Sequence, residues 1–151
     1  MMELQDAARR MGELGLSIFP CKPGEKVPAT PRGFKDATAD LAQIESWWNE
    51  NPLFNIGLPT GEVNGLFVVD VDGEFNQWPN DADKAASLMS GIVVKTPRGG
   101  KHFYFALDKQ RPNTAGKLAP YVDTRGDGGY VLAPPSIVDD KPYSFIVGAF
   151  E

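Results

Sequence analysis

Residues 66–72 read LFVVDVD, an apolar run that breaks into Asp70 and Asp72, one residue apart, just ahead of Gly73. A side-chain period of two puts Leu66, Val68, Asp70 and Asp72 on one face, with Phe67, Val69 and Val71 on the other. Two like charges on one face repel unless something positive sits between them or water solvates both. Three readings suit such a pair: a clamp for a hard divalent cation, a phospho-acceptor aspartate, or a strand end whose aspartates open a turn. The motif by itself does not choose.

Other residues carry further chemistry. His102 is the only histidine; it follows TPRGGK and shares a strand face with Tyr104 and Ala106. A lone histidine is more often structural, but Arg98, Lys101 and the Gly99-Gly100 turn beside this one suit a residue that faces an anion. Asp123 ends a short apolar stretch, two residues before Arg125 and ahead of glycines 126, 128 and 129. Those glycines allow close backbone approach, although a plain hairpin explains them equally. Arg125-Gly126-Asp127 also spells an adhesion tripeptide, which is discounted for a chain read as cytosolic. Three carboxylates from two strands, a histidine and several cationic side chains are what nucleotidyl transfer needs. Two Mg²⁺ or Mn²⁺ ions roughly 3.5–4 Å apart would activate a hydroxyl and stabilise the leaving pyrophosphate. Cationic groups would hold the triphosphate.

Two rival classes compete. A haloacid-dehalogenase-like phosphatase ends its nucleophile strand in aspartate-x-aspartate-glycine-threonine; Asp70 to Gly73 fits, but Glu74 takes the threonine position. Its later acidic motif has no match after Gly126-Asp127, where Gly128 to Leu132 hold no carboxylate. A non-catalytic, RNA-recognition-like module that binds single-stranded nucleic acid is read from the aromatics of HFYF (102–105), and it would not need the paired aspartates. A P-loop is excluded, because His102 follows Lys101 where serine or threonine is required.

The elements that must position these residues alternate with glycines and prolines, sixteen and thirteen of them, which mark turns and form no linker. Leu4, Ala7, Ala8, Met11 and Leu14 predict a helix over 3–14 with Gly15 as its stop. LSIFP (16–20) predicts a strand and KPGEKVPATPRGF (22–34) a turn-rich loop. Asp40 caps a second predicted helix that runs to Glu50, with Leu41, Ile44, Trp47 and Trp48 inward; the two tryptophans are adjacent, so at most one points straight into the core. Strands are expected at 55–59, 65–71, 92–96, 102–107, 130–134 and 143–147, and a short helix at 81–89. The order lacks a regular βαβ rhythm, which favours α+β.

The whole chain has 151 residues, 42% of them hydrophobic and 23% charged, which suits one globular domain over 1–151. No apolar run approaches the roughly 18 residues of a membrane span, and the N-terminus lacks the apolar segment of a signal peptide, so no membrane partner is expected. The single cysteine, Cys21, allows no internal disulfide and fits a reducing cytoplasm. The net charge of -5 argues against a nucleic-acid partner, but the charge is unevenly spread. Residues 36–91 hold ten acidic residues against Lys84, whereas 95–125 hold seven basic residues against Asp108 and Asp123. Residues 22–35 add Lys22, Lys26, Arg32 and Lys35 against Glu25. Such asymmetry suits a phosphate-facing side, and a solvated basic face accounts for it nearly as well.

Five blocks in order resemble one family: FPCKPGEKVPATPRGFKDAT, IESWWNENPLFNIGLPTG, GLFVVDVDG, TPRGGKHFYF and VDTRGDGGYVLAPPS. Together they are similar to the bifunctional primase/polymerase (Prim-Pol) domain of the archaeo-eukaryotic primase superfamily, found in phage and plasmid replication proteins. The resemblance spans about residues 15–147. It implies that Asp70 and Asp72 form the first metal motif and that Asp123 is the third metal ligand. Gly100-Lys101-His102 is similar to the family's small-x-histidine motif, so His102 is expected on the phosphates of the incoming nucleotide. Arg125, Arg98, Lys101 and Lys26 match positions that are often basic. The implied fold is an α/β unit packed on an RNA-recognition-like unit, with the active cleft between them. The implied activity is DNA priming and polymerisation with NTP or dNTP on a single-stranded DNA template, using two Mg²⁺ or Mn²⁺ ions. Family members usually continue into a helical subdomain and often a helicase, so a chain ending at GAFE is expected to be a catalytic core cut from a longer protein and to initiate primers poorly.

Overall fold

Amphipathic periodicity builds the helices of the chain. A computed structural model describes residues 2–73, 76, 78, 79, 91–107 and 116–151, with the backbone alone at 116–118. The helix predicted over 81–89 lies outside the described residues, as do Glu74, Lys84, Lys109 and Arg111. Helix α1 (Leu4–Glu13) buries Leu4, Ala7, Ala8 and Met11, the expected stripe. Gly15 ends it at φ +85°, a conformation that costs glycine little. A Cβ on Gly12 would stand 2.6 Å from Ile44 Cδ1, so the bare glycine lets α1 approach helix α2 (Leu41–Glu50) closely. Asp40 caps α2 by accepting the Ala42 N–H at 3.2 Å.

Ile44 and Trp48 form the buried face of α2, and the Trp48 indole N–H donates to Phe54 O at 2.9 Å. Trp47 is half-buried, as expected of one of two adjacent tryptophans. Leu41 departs from expectation: it is 39% exposed, because it sits in the first turn and only its tip reaches Gly12.

Strands β1 (Phe19–Cys21), β2 (Asn55–Pro59) and β8 (Tyr130–Ala133) make a three-stranded antiparallel sheet with β2 in the middle. β1 begins later than LSIFP suggested, since Ile18 pairs with Thr38 instead. The fully buried Asn55 ties this sheet to its loops. Its amide donates to Glu25 O and Ile137 O, and its carbonyl accepts the Ile137 N–H. β9 (Ile137–Val138) and β10 (Lys141–Pro142) form a small hairpin absent from the sequence expectation.

The second sheet has six antiparallel strands in the order β11-β4-β5-β3-β7-β6: β3 (Leu66–Val71), β4 (Ile92–Lys95), β5 (Lys101–Ala106), β6 (Gly116–Ala119), β7 (Val122–Arg125) and β11 (Ser144–Val147). Val69, Val71, Val93, Phe103 and Val122 form the core on one of its faces. No strand range for β6 or β7 is legible in the sequence, although Asp123 reads as standing on a second strand, because VDTR and GKLA show no apolar run long enough to delimit one. The chain is α+β. Its contacts divide it into two compact units, residues 1–59 with 130–143 and 151, and residues 60–129 with 144–150.

Candidate active site on the six-stranded sheet

Register places the chemistry. β3 lies between β5 and β7, and Asp70 pairs with His102 on one side and with Asp123 on the other. Partners directly across a ladder point to the same face, so three predicted site residues stand in one row. Val69 and Val71 point to the opposite, core face, as the period of two in FVVDV requires. Arg125 pairs with Val68 and stands diagonally across from Asp70 on that same face.

Asp70 is only 13% exposed, and each of its oxygens faces a nitrogen. His102 Nε2 donates to Oδ1 at 3.3 Å, and Arg125 Nη2 donates to Oδ2 at 3.4 Å. Burial pushes the Asp70 carboxyl up, but the hydrogen bond and charge of His102, followed by the charge and hydrogen bond of Arg125, hold it below the ordinary carboxylate range. Asp123 faces Asp70 across the ladder, an arrangement that repels unless cations compensate. Arg125 supplies such a cation, and His102 supplies a hydrogen-bond donor to Asp70. Lys117 on β6 holds the register position beyond Asp123.

Asp72 stands past the end of β3 and is exposed; its N–H donates to Tyr121 O at 2.8 Å. The hairpin holding Arg98 packs beside it. Gly99 N–H donates to Thr96 O at 2.9 Å and Thr96 N–H to Gly100 O at 3.0 Å, which closes the turn. A Cβ on Gly100 would collide with Val71 O and lie 3.2 Å from Gly73 N, so only glycine lets this hairpin sit against the end of β3. A second anchor lies at the other end of the sheet. Thr60 Oγ1 donates to Gly126 O at 2.6 Å, and Asp127 Oδ1 accepts the Glu62 N–H at 2.8 Å. Asp127 therefore holds a loop, and the adhesion-like tripeptide is part of that turn.

Carboxylate oxygens are the donors that Mg²⁺ and Mn²⁺ favour, so the residue types fit those ions. The arrangement does not form a ligand cluster: among the described residues, no group of three or more His, Cys, Asp or Glu side chains is gathered closely enough to hold a metal. Asp70 is engaged by His102 and Arg125.

The family model for the N-terminal bifunctional DNA primase/polymerase domain matches residues 7–149. The chain belongs to the Prim-Pol family. No curated protein matches it. That family is one of DNA primase/polymerases, which transfer nucleotidyl groups, so the Prim-Pol match favours nucleotidyl transfer over the phosphatase reading.

Within this Prim-Pol domain the predicted residues separate. Asp70, His102, Asp123 and Arg125 come together, and Asp72 and Arg98 stand beside the end of β3. Lys101 pairs with Val71 and Lys95, which puts its Cβ on the opposite face from His102. Lys26 belongs to the other unit, where its carbonyl accepts from Tyr130 OH at 2.6 Å. That unit also holds an open cavity of about 500 Å³ lined by residues including Arg32, Asp36, Gln43 and Trp47, none of them a predicted site residue. Cys21 is buried, and burial pushes its thiol up to about 12, in keeping with a packing role.

Proposed function

We propose that the chain extends a nucleic-acid 3′-hydroxyl with an incoming NTP or dNTP on a single-stranded DNA template, releasing pyrophosphate. Asp70, Asp72 and Asp123 would hold two divalent ions, Mg²⁺ or Mn²⁺, during catalysis. Bound there, such an ion screens the charge that builds on the reacting phosphate and the departing pyrophosphate. The chain's own residues bind and orient. His102 is the family's expected phosphate contact, but its Nε2 donates to Asp70 Oδ1, so in this reading it orients that carboxylate while Arg125 and Arg98 supply guanidinium donors to the outer phosphate oxygens. Lys101 and Lys26 are weaker candidates for the same role, the first because of its face. In the finer description of the fold, one unit is α/β and the other RNA-recognition-like; the division into two units supports that reading.

The observation that carries this proposal is the register of Asp70 between His102 and Asp123 in a chain matched to Prim-Pol almost throughout. A primer-extension assay tests it, run with each nucleotide set, with and without Mn²⁺. Asp70→Ala is expected to lower incorporation by at least about 10²-fold, the scale of losing a group that stabilises transition-state charge. The variant should keep the circular-dichroism spectrum of the parent. A folded Asp70→Ala protein with full activity would sink the assignment.

A further inference from the structure

Asp70 and Asp123 oppose each other across one ladder, and the sheet must neutralise that repulsion whether or not a metal is bound. Without one, both Asp70 oxygens are taken by side chains, His102 Nε2 and Arg125 Nη2. The two differ in their freedom to leave. The His102 side chain is 7% exposed and fixed within β5, whereas the Arg125 side chain is 43% exposed at the end of β7. Only Arg125 can swing into solvent without opening the sheet.

We propose that Arg125 is an exchangeable counter-ion for Asp70: its guanidinium occupies Oδ2 in the metal-free chain and withdraws when a divalent cation is bound. Its release turns the same guanidinium toward an anion, so metal loading and triphosphate capture are coupled through one side chain. His102 stays on Oδ1 as the fixed partner that orients the carboxylate. This rests on the reading of Asp70 and Asp123 as metal ligands. It adds an order of events and a competition that the reading alone does not contain.

Competition for one oxygen makes a binding prediction that requires no turnover. Mn²⁺ affinity is measured by electron paramagnetic resonance without nucleotide, for the parent, Arg125→Gln, Arg125→Lys, Asp70→Asn, the double variant Asp70→Asn with Arg125→Gln, and Lys101→Gln. Thermal denaturation with and without Mn²⁺ checks that each variant is folded. Arg125→Gln is expected to bind Mn²⁺ roughly two- to five-fold more tightly than the parent, the scale of a partly exposed ion pair. Arg125→Lys should lie between them. In the Asp70→Asn background, Arg125→Gln should bring no further gain.

Lys101→Gln removes a nearby charge that does not touch Asp70, and should change affinity less. Equal or weaker Mn²⁺ binding by Arg125→Gln overturns the proposal, and so does an equal gain from Lys101→Gln, which would reduce the effect to a general field. If the parent binds Mn²⁺ through Asp70 and only the Arg125 effect is missing, the exchange fails and the metal assignment survives. Absence of Mn²⁺ binding in parent and variants overturns both.

Discussion

Asp70 is a nearly buried carboxylate that keeps its charge because two neighbours hold it. Deleting one partner of such a group exposes the desolvation cost that the partner was offsetting. His102→Ala should therefore cost about 1–3 kcal/mol of stability. His102→Gln should lose less, because its amide can still donate to Oδ1. Urea unfolding of the two variants measures the difference. Equal stability of parent and His102→Ala would mean that the 3.3 Å contact contributes nothing to folding.

Strands act at the next scale through register and close approach. A slip of one residue in β3 would turn Asp70 into the valine core and Val69 and Val71 onto the site face, so the core of Val69, Val71, Val93, Phe103 and Val122 also keeps the aspartates in place. Gly100 sets the second constraint. Its backbone lies against Val71, and any side chain would push the Thr96–Gly100 hairpin away from Asp72. Gly100→Ala should cost about 1–3 kcal/mol, as expected where a methyl meets backbone that cannot give way. Gly91→Ala is the control. A Cβ there meets Tyr104 O at an ordinary 3.6 Å, so its melting temperature should stay close to the parent's. Similar losses in both variants would refute the steric account.

Charge distribution operates over the whole chain. The net charge is -5, yet seven basic residues fall between 95 and 125, the segment that includes β5, β7 and the Arg98 turn. If this segment meets nucleic acid, affinity for a single-stranded oligonucleotide should fall steeply with salt, with log K dropping about 0.7 per tenfold rise in salt for each phosphate neutralised. Fluorescence anisotropy between 50 and 200 mM salt, roughly the range over which counterion release is normally resolved, reads that slope. Binding that ignores salt would mean the basic segment does not contact phosphates. No helix among the described residues is long and apolar enough to cross a membrane.

What the sequence determined by itself is local. The apolar stripe of α1, the Asp40 cap, the strand of LFVVDV and the turn of PRGG follow from periods and residue preferences readable within a few neighbours. The family resemblance added the order of the blocks and named Asp70, Asp72, His102 and Asp123 before any strand was paired. Tertiary structure decided the rest. VDTR alternates a buried valine and threonine with Asp123 and Arg125, a pattern too short and polar to signal a strand until β3 lies beside it. That pairing, across more than fifty residues of chain, sets Asp123 opposite Asp70 and brings Arg125 within 3.4 Å of it. It also turns Lys101 to the other face, although Lys101 adjoins His102 in sequence. Spacing along a chain reports which face a residue takes within its own strand. Which strands become neighbours is settled by the packing of Val69, Phe103 and Val122, and no local pattern records that choice.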